Sequence, residues 1–457
     1  MAPNLDNIAV ELLDIITSTL SLEDFCSLRL TCKSVYATSL RSFAFIFFSS
    51  KICHLNFNSL ELLTQVSRHV EYSQAIRSLD IQATVYSKQQ IEKAHVDLGY
   101  YKTAISRVVN KSAECEAILQ CAKLYDHIMA QPVDAEKIGT IANIFTEIFR
   151  NLVNVKAIRL YQDLNPTSMR NYNSSSRIDF ASLCFQGILE AVSSSGLKLE
   201  KLKTVSKPWV HRFSRNSAII PHDAFIQPKS LLTNVLANLS SLELCISTTY
   251  HGMERQANWE TGVSKFISGA VALKSLRLLF DGLGGNSKYS IELIRSITEK
   301  TSLPKLKKFH LVGPQFDELD LADFFVRHRE TLRVIHFEYT RLQNGTWQSL
   351  LETIRDSLQL HHLYLLYPVQ GEERVTFPPE IFDNFWLHQV DADDPDDDRS
   401  MKDQLNETIE FLEVGFERHA VYEILYDSDA PMENSRRRHS VSGSDHESIV
   451  GSENSAG

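Results

Sequence analysis

The stretch that decides the fold is Leu306-Lys-Lys-Phe-His-Leu-Val312, followed by Leu332-Arg-Val-Ile-His-Phe-Glu338 and Leu360-His-His-Leu-Tyr-Leu-Leu366. Each reads apolar, two spacers, apolar, one spacer, apolar. The last two apolar residues are two apart, so an extended chain sends both to one side. Working back, Leu239/Leu242/Leu244 and Leu273/Leu276/Leu278 repeat the unit. First positions are then 34, 33, 26 and 28 residues apart. Weaker copies stand at Ile76/Leu79/Ile81, Val155/Ile158/Leu160 and Leu199/Leu202/Thr204. Helical patterns fall between them: Ile291, Ile294 and Ile297; Phe316, Leu319, Leu321, Phe324 and Phe325; Trp347, Leu350, Leu351 and Ile354. Strand and helix alternating at this period predict an α/β chain, read as an irregular leucine-rich-repeat solenoid with parallel strands on its concave side. The plainer alternative is an ordinary α/β domain with leucine-rich strands.

In such a solenoid the spacers on the strands face the concave side. One column holds Asp80, Arg159, Lys203, Glu243, Arg277, His310, His336 and Tyr364. The next holds Tyr161, Val205, Cys245, Leu279, Val312, Glu338 and Leu366, which is apolar for a solvent-facing row. It is either a protein-binding groove or a surface that another segment covers, the acidic C-terminal stretch being one candidate. As target-binding residues the reading selects Arg159, Tyr161, Glu243, Arg277, Leu279, His310, Val312, His336, Tyr364 and Leu366. Residues 84–150 are helical in pattern and are expected to cap the repeat array.

The chain has 457 residues, 43% of them apolar and 23% charged, enough to bury a large core. Its net charge of −10 is uneven. From Asp391 onward 18 acidic residues face 6 basic ones, so the first 390 residues are close to neutral. No basic footprint for nucleic acid is expected. The longest apolar run, Phe43-Ala-Phe-Ile-Phe-Phe48, is too short to span a bilayer, and no secretion signal precedes it. The expected setting is therefore intracellular, cytoplasm or nucleus, and the odd number of cysteines, seven, reads as reduced thiols that mostly fill the core.

The first fifty residues read as three short helices. Ile8, Leu12, Ile15, Ile16 and Leu20 share a helical stripe, and Ser21-Leu-Glu-Asp24 carries a capping-box signature. Leu12, Leu13, Ile15, Ile16, Leu20, Leu22, Phe25, Leu28 and Leu30 are more apolar surface than so small a unit hides. Either residues 51 onward cover the surplus or a partner does. Ile8-Ala-Val-Glu-Leu-Leu13, Leu20-Ser-Leu-Glu-Asp-Phe25 and Leu28-Arg-Leu-Thr-Cys-Lys33 resemble, in order and spacing, the three blocks of an F-box, with Ala9 where the family has proline. Phe324-Phe-Val-Arg-His-Arg-Glu-Thr-Leu-Arg-Val334 resembles the degenerate leucine-rich repeats of fungal F-box proteins. The resemblance implies a substrate-recognition subunit of an SCF-type ubiquitin ligase, bound to a Skp-family adaptor and through it to a cullin, with a target protein on the repeats. By position it implies adaptor contacts at Ile8, Ala9, Glu11, Leu12, Leu13, Ile16, Leu20, Leu28 and Leu30. The runner-up is a repeat scaffold with no ligase attached.

The expected organisation is an F-box at 1–50, a helical connector and cap at 51–150, the repeats at 151–390, an acidic linker and terminal helix at 391–426, and a disordered Ser/acidic tail at 427–457. In that tail Arg436-Arg-Arg-His-Ser440 and Ser444-Asp-His-Glu447 offer Ser440 and Ser444 as phosphorylation sites. Gly282-Leu-Gly-Gly-Asn-Ser-Lys288 has the wrong spacing for a phosphate loop and reads as a turn. Asp391 to Asp398 lacks the glycine and final glutamate of a calcium loop. No catalytic constellation, metal-ligand spacing or cofactor motif stands out, so no enzyme activity, metal or cofactor is expected.

Overall fold

Leucine, isoleucine and phenylalanine at alternate positions suit a pleated surface with one buried face, and each of the eight repeated units indeed leads into a strand. The structure, a computed structural model, describes residues 8–103, 109–162, 175–205, 217–226, 229–247, 260–281, 287–376, 401–410 and 413–415. Its strands are β1 (Ser50–His54), β2 (Ser78–Gln82), β3 (Ala157–Tyr161), β4 (Lys201–Lys203), β5 (Ile219–Ile220), β6 (Ser241–Ser247), β7 (Ser275–Asp281), β8 (Lys308–Val312), β9 (Gln315–Asp317), β10 (Val334–Glu338), β11 (Arg341–Asn344), β12 (His362–Leu366), β13 (Val369–Gln370), β14 (Glu373–Thr376) and β15 (Glu413–Gly415).

The molecule is α/β with a mostly parallel main sheet. Its order is β1-β2-β3-β4-β6-β7-β8-β10-β12, with β5 added beside β6. Each of these neighbouring pairs is parallel, so every strand is laid next to the one before it. Because such crossovers are right-handed, this order sends the connecting helices to one face. The leading residues Ile76, Val155, Leu199, Leu239, Leu273, Leu306 and Leu332 are fully buried there. They share a core with Phe145, Leu189, Phe266, Ile297, Phe324 and Leu351 from the helices.

Four helices precede the sheet: α1 (Val10–Ser18), α2 (Leu22–Arg29), α3 (Lys33–Thr38) and α4 (Leu40–Phe48). The body adds α5 (Phe57–Arg68), α6 (Val70–Ala75), α7 (Lys88–Thr103), α8 (Val109–Met129), α9 (Asp134–Asn151), α10 (Ser175–Ser195), α11 (Lys229–Leu236), α12 (Glu260–Ser268), α13 (Ser287–Lys300), α14 (Glu318–Arg327), α15 (Trp347–Ser357) and α16 (Met401–Glu410). None of the described helices is long and apolar enough to cross a membrane.

The last three units share a backbone template. Seven residues after each leading leucine the chain turns through a left-handed position: Gly313 at φ 81°, Tyr339 at 53° and Tyr367 at 51°. Each turn leads into a short strand, and β9, β11 and β13 line up in parallel as a second sheet, which β14 and β15 extend antiparallel. The non-glycine turns are held by packing, with the Tyr339 and Tyr367 rings stacked 5.0 Å apart. Trp347 opens α15 fully buried, its indole N–H donating to the Val369 carbonyl at 2.9 Å.

The structure departs from the sequence reading in several places. The stretch 51–150 carries two strands, not one weak copy, because β1 pairs with β2 at the sheet edge. The aromatic run at 43–48 forms a fourth helix, α4. Phe316 lies on β9 and not on the helix that follows it. The helix expected across 401–426 ends at Glu410, and Glu413–Gly415 pairs as a strand with β14. Residues 282–286 of the glycine-rich turn, the acidic run 391–398, and Ser440 and Ser444 lie outside the described residues.

Candidate functional site

Two surfaces bring the selected residues together, and they differ in character. The first is the outside of the N-terminal helices. Ser21 caps α2 by accepting from the Asp24 backbone N–H at 3.1 Å, while its hydroxyl donates to the Asp24 carboxylate at 2.7 Å, so the capping box closes through side chains. Cys32 caps α3, its sulfur accepting from the Val35 N–H at 3.4 Å. The helices pack around Leu13, Phe25, Val35, Phe43 and Ala44, with the Phe25 and Phe43 rings edge to face at 5.4 Å. The buried Arg29 guanidinium lies over the Tyr36 and Phe43 rings, 4.3 and 4.1 Å from their centres, so the ring faces offset part of its desolvation while its Nε and Nη2 have no hydrogen-bond partner. Phe48 of α4 stacks on Tyr72 of α6 at 4.4 Å and ties the unit to the body.

That core decides which of the residues expected to contact an adaptor are inside. Leu13 is only 1% exposed, so it holds the helices together and is no surface contact. Ala9, Glu11, Leu12, Ile16 and Leu30 are exposed, and Ile8, Leu20 and Leu28 are half-buried. Ile15 at 66% and Leu30 at 83% exposure are extreme for such residues. Val10, Ile15 and Leu22 also stand in the open; Ile15 and Leu22 belong to the apolar surplus read from the sequence, but the resemblance implies no adaptor contact at any of the three. Helical phase alone could not place them, because nothing in a 40-residue pattern fixes which stripe faces inward. Cys26 is exposed and Cys32 half-buried, so these two cysteines are not core filler.

The second surface is the polar row of the main sheet. Strand register sets Glu243, Arg277, His310, His336 and Tyr364 side by side across β6, β7, β8, β10 and β12. Charges pair along it. Arg159 reaches Asp80 at 3.2 Å, Lys203 reaches Glu243, and the Tyr161 hydroxyl donates to Gln82 at 3.2 Å. Towards β12 the row becomes aromatic. The His310 and His336 rings are 5.0 Å apart, His336 and His362 4.8 Å, and His336 and Tyr364 5.4 Å. Glu338, one pleat on from His336, brings its Oε1 within 2.9 Å of His310 Nε2. At that distance the imidazole and the carboxylate engage each other, whereas His336 Nε2 has no hydrogen-bond partner.

Electrostatics here favour neutral imidazoles beside an ionised carboxylate. Burial lowers the His310 pKa, and the Arg277 guanidinium adds to the shift. Burial, with His310 and His362 as neighbours, pushes His336 down to about 3. For Glu338 burial acts upward, but His310, Arg277 and His336 together outweigh it and hold the carboxyl below its ordinary value.

The neighbouring column is not an open groove. Leu279 is 5% exposed and Val312 is buried beside it. They form a second apolar cluster with Val205 and Cys245 of the same column and with Ile178 of α10 and Ile219 of β5. The expectation that Leu279 and Val312 face a target is therefore corrected. Segments of this chain cover them, because β5 pairs beside β6 and brings Ile219 next to Cys245. Arg159, Tyr161, Glu243, Arg277, His310, His336, Tyr364 and Leu366 stay partly accessible. The clustering of His310, His336 and Glu338 escaped sequence reasoning, since 26 residues separate the two histidines. Only the repeat register, laid out as columns, could have found it. No protein-family model matches this sequence, and no curated protein matches it either.

Proposed function

We propose that this chain is the substrate-recognition subunit of an SCF-type ubiquitin ligase. In this reading α1–α3 form an F-box that docks a Skp-family adaptor and through it a cullin. The parallel sheet and its helices are an irregular leucine-rich-repeat solenoid whose polar row holds a target protein. The chain makes no bond itself. It raises the local concentration of the target near the ubiquitin-loaded enzyme.

One observation carries the reading. The N-terminal unit has a complete small core of its own, yet Leu12, Ile15, Ile16 and Leu30 remain outside it and outside the body. Burying each such side chain contributes about 1.5–3 kcal/mol, so a partner gains several kcal/mol by covering them. The test is co-purification of the full chain with a purified Skp adaptor. Wild type is expected to bind, and Ile16→Asp and Leu30→Asp are each expected to abolish binding with the fold retained. If wild type does not bind the adaptor, the ligase reading fails and the repeat scaffold without a ligase takes its place.

A further inference from the structure

We infer that His310, His336 and Glu338 form a binding site for a zinc-like divalent transition-metal ion on the polar face of the main sheet. The inference is independent of the adaptor reading, since it rests on β8 and β10 alone. His336 and His310 are register partners on adjacent parallel strands, and Glu338 lies two residues beyond His336 on the same side of β10. The backbone thus sets two imidazoles abreast and a carboxylate one pleat on. One ligand atom from each of the three lies within 4.8 Å of the others. A tetrahedral ion with bonds of about 2.0–2.1 Å holds its ligand atoms roughly 3.3 Å apart, so small side-chain rotations close the set.

The polar atoms here are poorly served without an ion. His336 Nε2 has no hydrogen-bond partner. His310 Nε2 and Glu338 Oε1 stand 2.9 Å apart, close enough for one ion to take the place of the proton between them. A carboxylate with two neutral imidazoles is a donor set that zinc uses, and three protein ligands leave a fourth position for water or a donor from a bound molecule. Two nearby charges bear on the choice of ion. Arg277, the register neighbour of His310, opposes added positive charge, while Glu243 beyond it is engaged by Lys203. The repulsion disfavours ions held by charge alone, such as magnesium and calcium, and leaves those for which imidazole nitrogen is a strong ligand. His362 on β12 stands against His336 and is the nearest further imidazole.

The experiment equilibrates the chelator-stripped full chain with zinc, removes free metal by gel filtration, and measures bound metal by mass spectrometry. Cobalt(II) replaces zinc in a parallel sample read by visible absorption. The expected result is one equivalent of zinc per chain. Cobalt should give the ligand-field bands of a tetrahedral site with no thiolate charge-transfer band. His336→Gln and the isosteric Glu338→Gln should each weaken zinc binding by about tenfold or more, with unchanged circular dichroism. Three outcomes overturn the inference: wild type that retains no zinc, retention that Glu338→Gln leaves unchanged, or cobalt spectra dominated by thiolate bands, which would place the metal on the free cysteines.

Discussion

The N-terminal helices and the polar side of the main sheet start with the same problem and end differently. Each carries apolar residues where the local pattern points them outward. On the sheet, Leu279 and Val312 are buried in one apolar cluster with Ile178 and Ile219 from earlier segments of the same chain. On the helices, Leu12, Ile15 and Leu30 meet no such cover among the described residues. The difference lies in the means available. A wide parallel sheet can add a short strand, β5, beside β6 and so set Ile219 next to Cys245 in its own column. The four short helices are tied to the body through α4, where Phe48 stacks on Tyr72. An uncovered apolar surface therefore says more about a partner in the helical unit than in the sheet.

The sharpest way to break this contrast is to truncate inside and outside each region. Leu13→Ala and Leu279→Ala are each expected to cost about 2–5 kcal/mol, as buried leucines do. Leu30→Ala and Ile15→Ala are expected to change stability by less than about 0.5 kcal/mol. Urea denaturation of the four variants, followed by circular dichroism, reads all the differences. A Leu279→Ala variant as stable as wild type would reopen the column as a groove. A large loss at Leu30 would show that something in this chain already covers it.

How far the fold could be read in advance follows from what each element needs. The eight repeated units were legible because a strand with one buried face writes its period directly into alternate residues. β1 was not, since in Ser50-Lys-Ile-Cys-His54 only Cys53 is buried and an edge strand needs little more. β5 is two residues long and leaves no pattern at all. The run 43–48 is apolar at every position, so no period marks it as a helix. In the candidate surfaces, the columns of the sheet were readable but their cover was not, because Ile178 and Ile219 lie far away in sequence. Leu13 was placed on the adaptor face by position within a motif, whereas three-dimensional packing made it the hinge of a core with Phe25 nearby.

The two regions also bury a basic group in different ways, and pH separates them. Arg29 is buried as a side chain over two rings in the helical unit. His328, in the body, is buried with both ring nitrogens engaged: Nε2 accepts from the Leu303 N–H at 3.1 Å, which leaves Nδ1–H to donate to the Phe324 carbonyl at 2.7 Å. Burial, with Arg327 nearby, lowers its pKa from 6.5. The unfolded chain therefore takes up a proton near pH 6.5 that the folded chain refuses. Stability is full above that value and is lost as pH falls from 6.5 towards the lowered folded pKa. His310 and His336 act in the same direction, so His328→Gln should flatten the decline between pH 7.5 and 5 without removing it. Denaturation midpoints across that range test this, and parallel slopes for variant and wild type would exclude His328 as a contributor.

The smallest expected effect sits where the helical unit begins. Ala9 precedes α1 as its N-cap, with φ −62° and ψ 142°, and makes no side-chain cap bond. Proline fixes φ near −65°, so this backbone already has the shape that proline would impose. Its carbonyl, which proline keeps, accepts from the Leu12 and Leu13 N–H groups at 3.1 and 3.0 Å. Ala9→Pro should thus leave the folded helix unchanged and restrict only the unfolded chain, a gain of about 0.4–1 kcal/mol. The same change in the sheet, at a residue such as His336, would remove a ladder donor and cost stability. A gain at Ala9 with an unaltered circular dichroism spectrum would show that alanine there weakens the helical unit without reshaping it. A loss of stability would mean that the Ala9 N–H is needed in the folded chain, and the geometric case for proline at this position would fail.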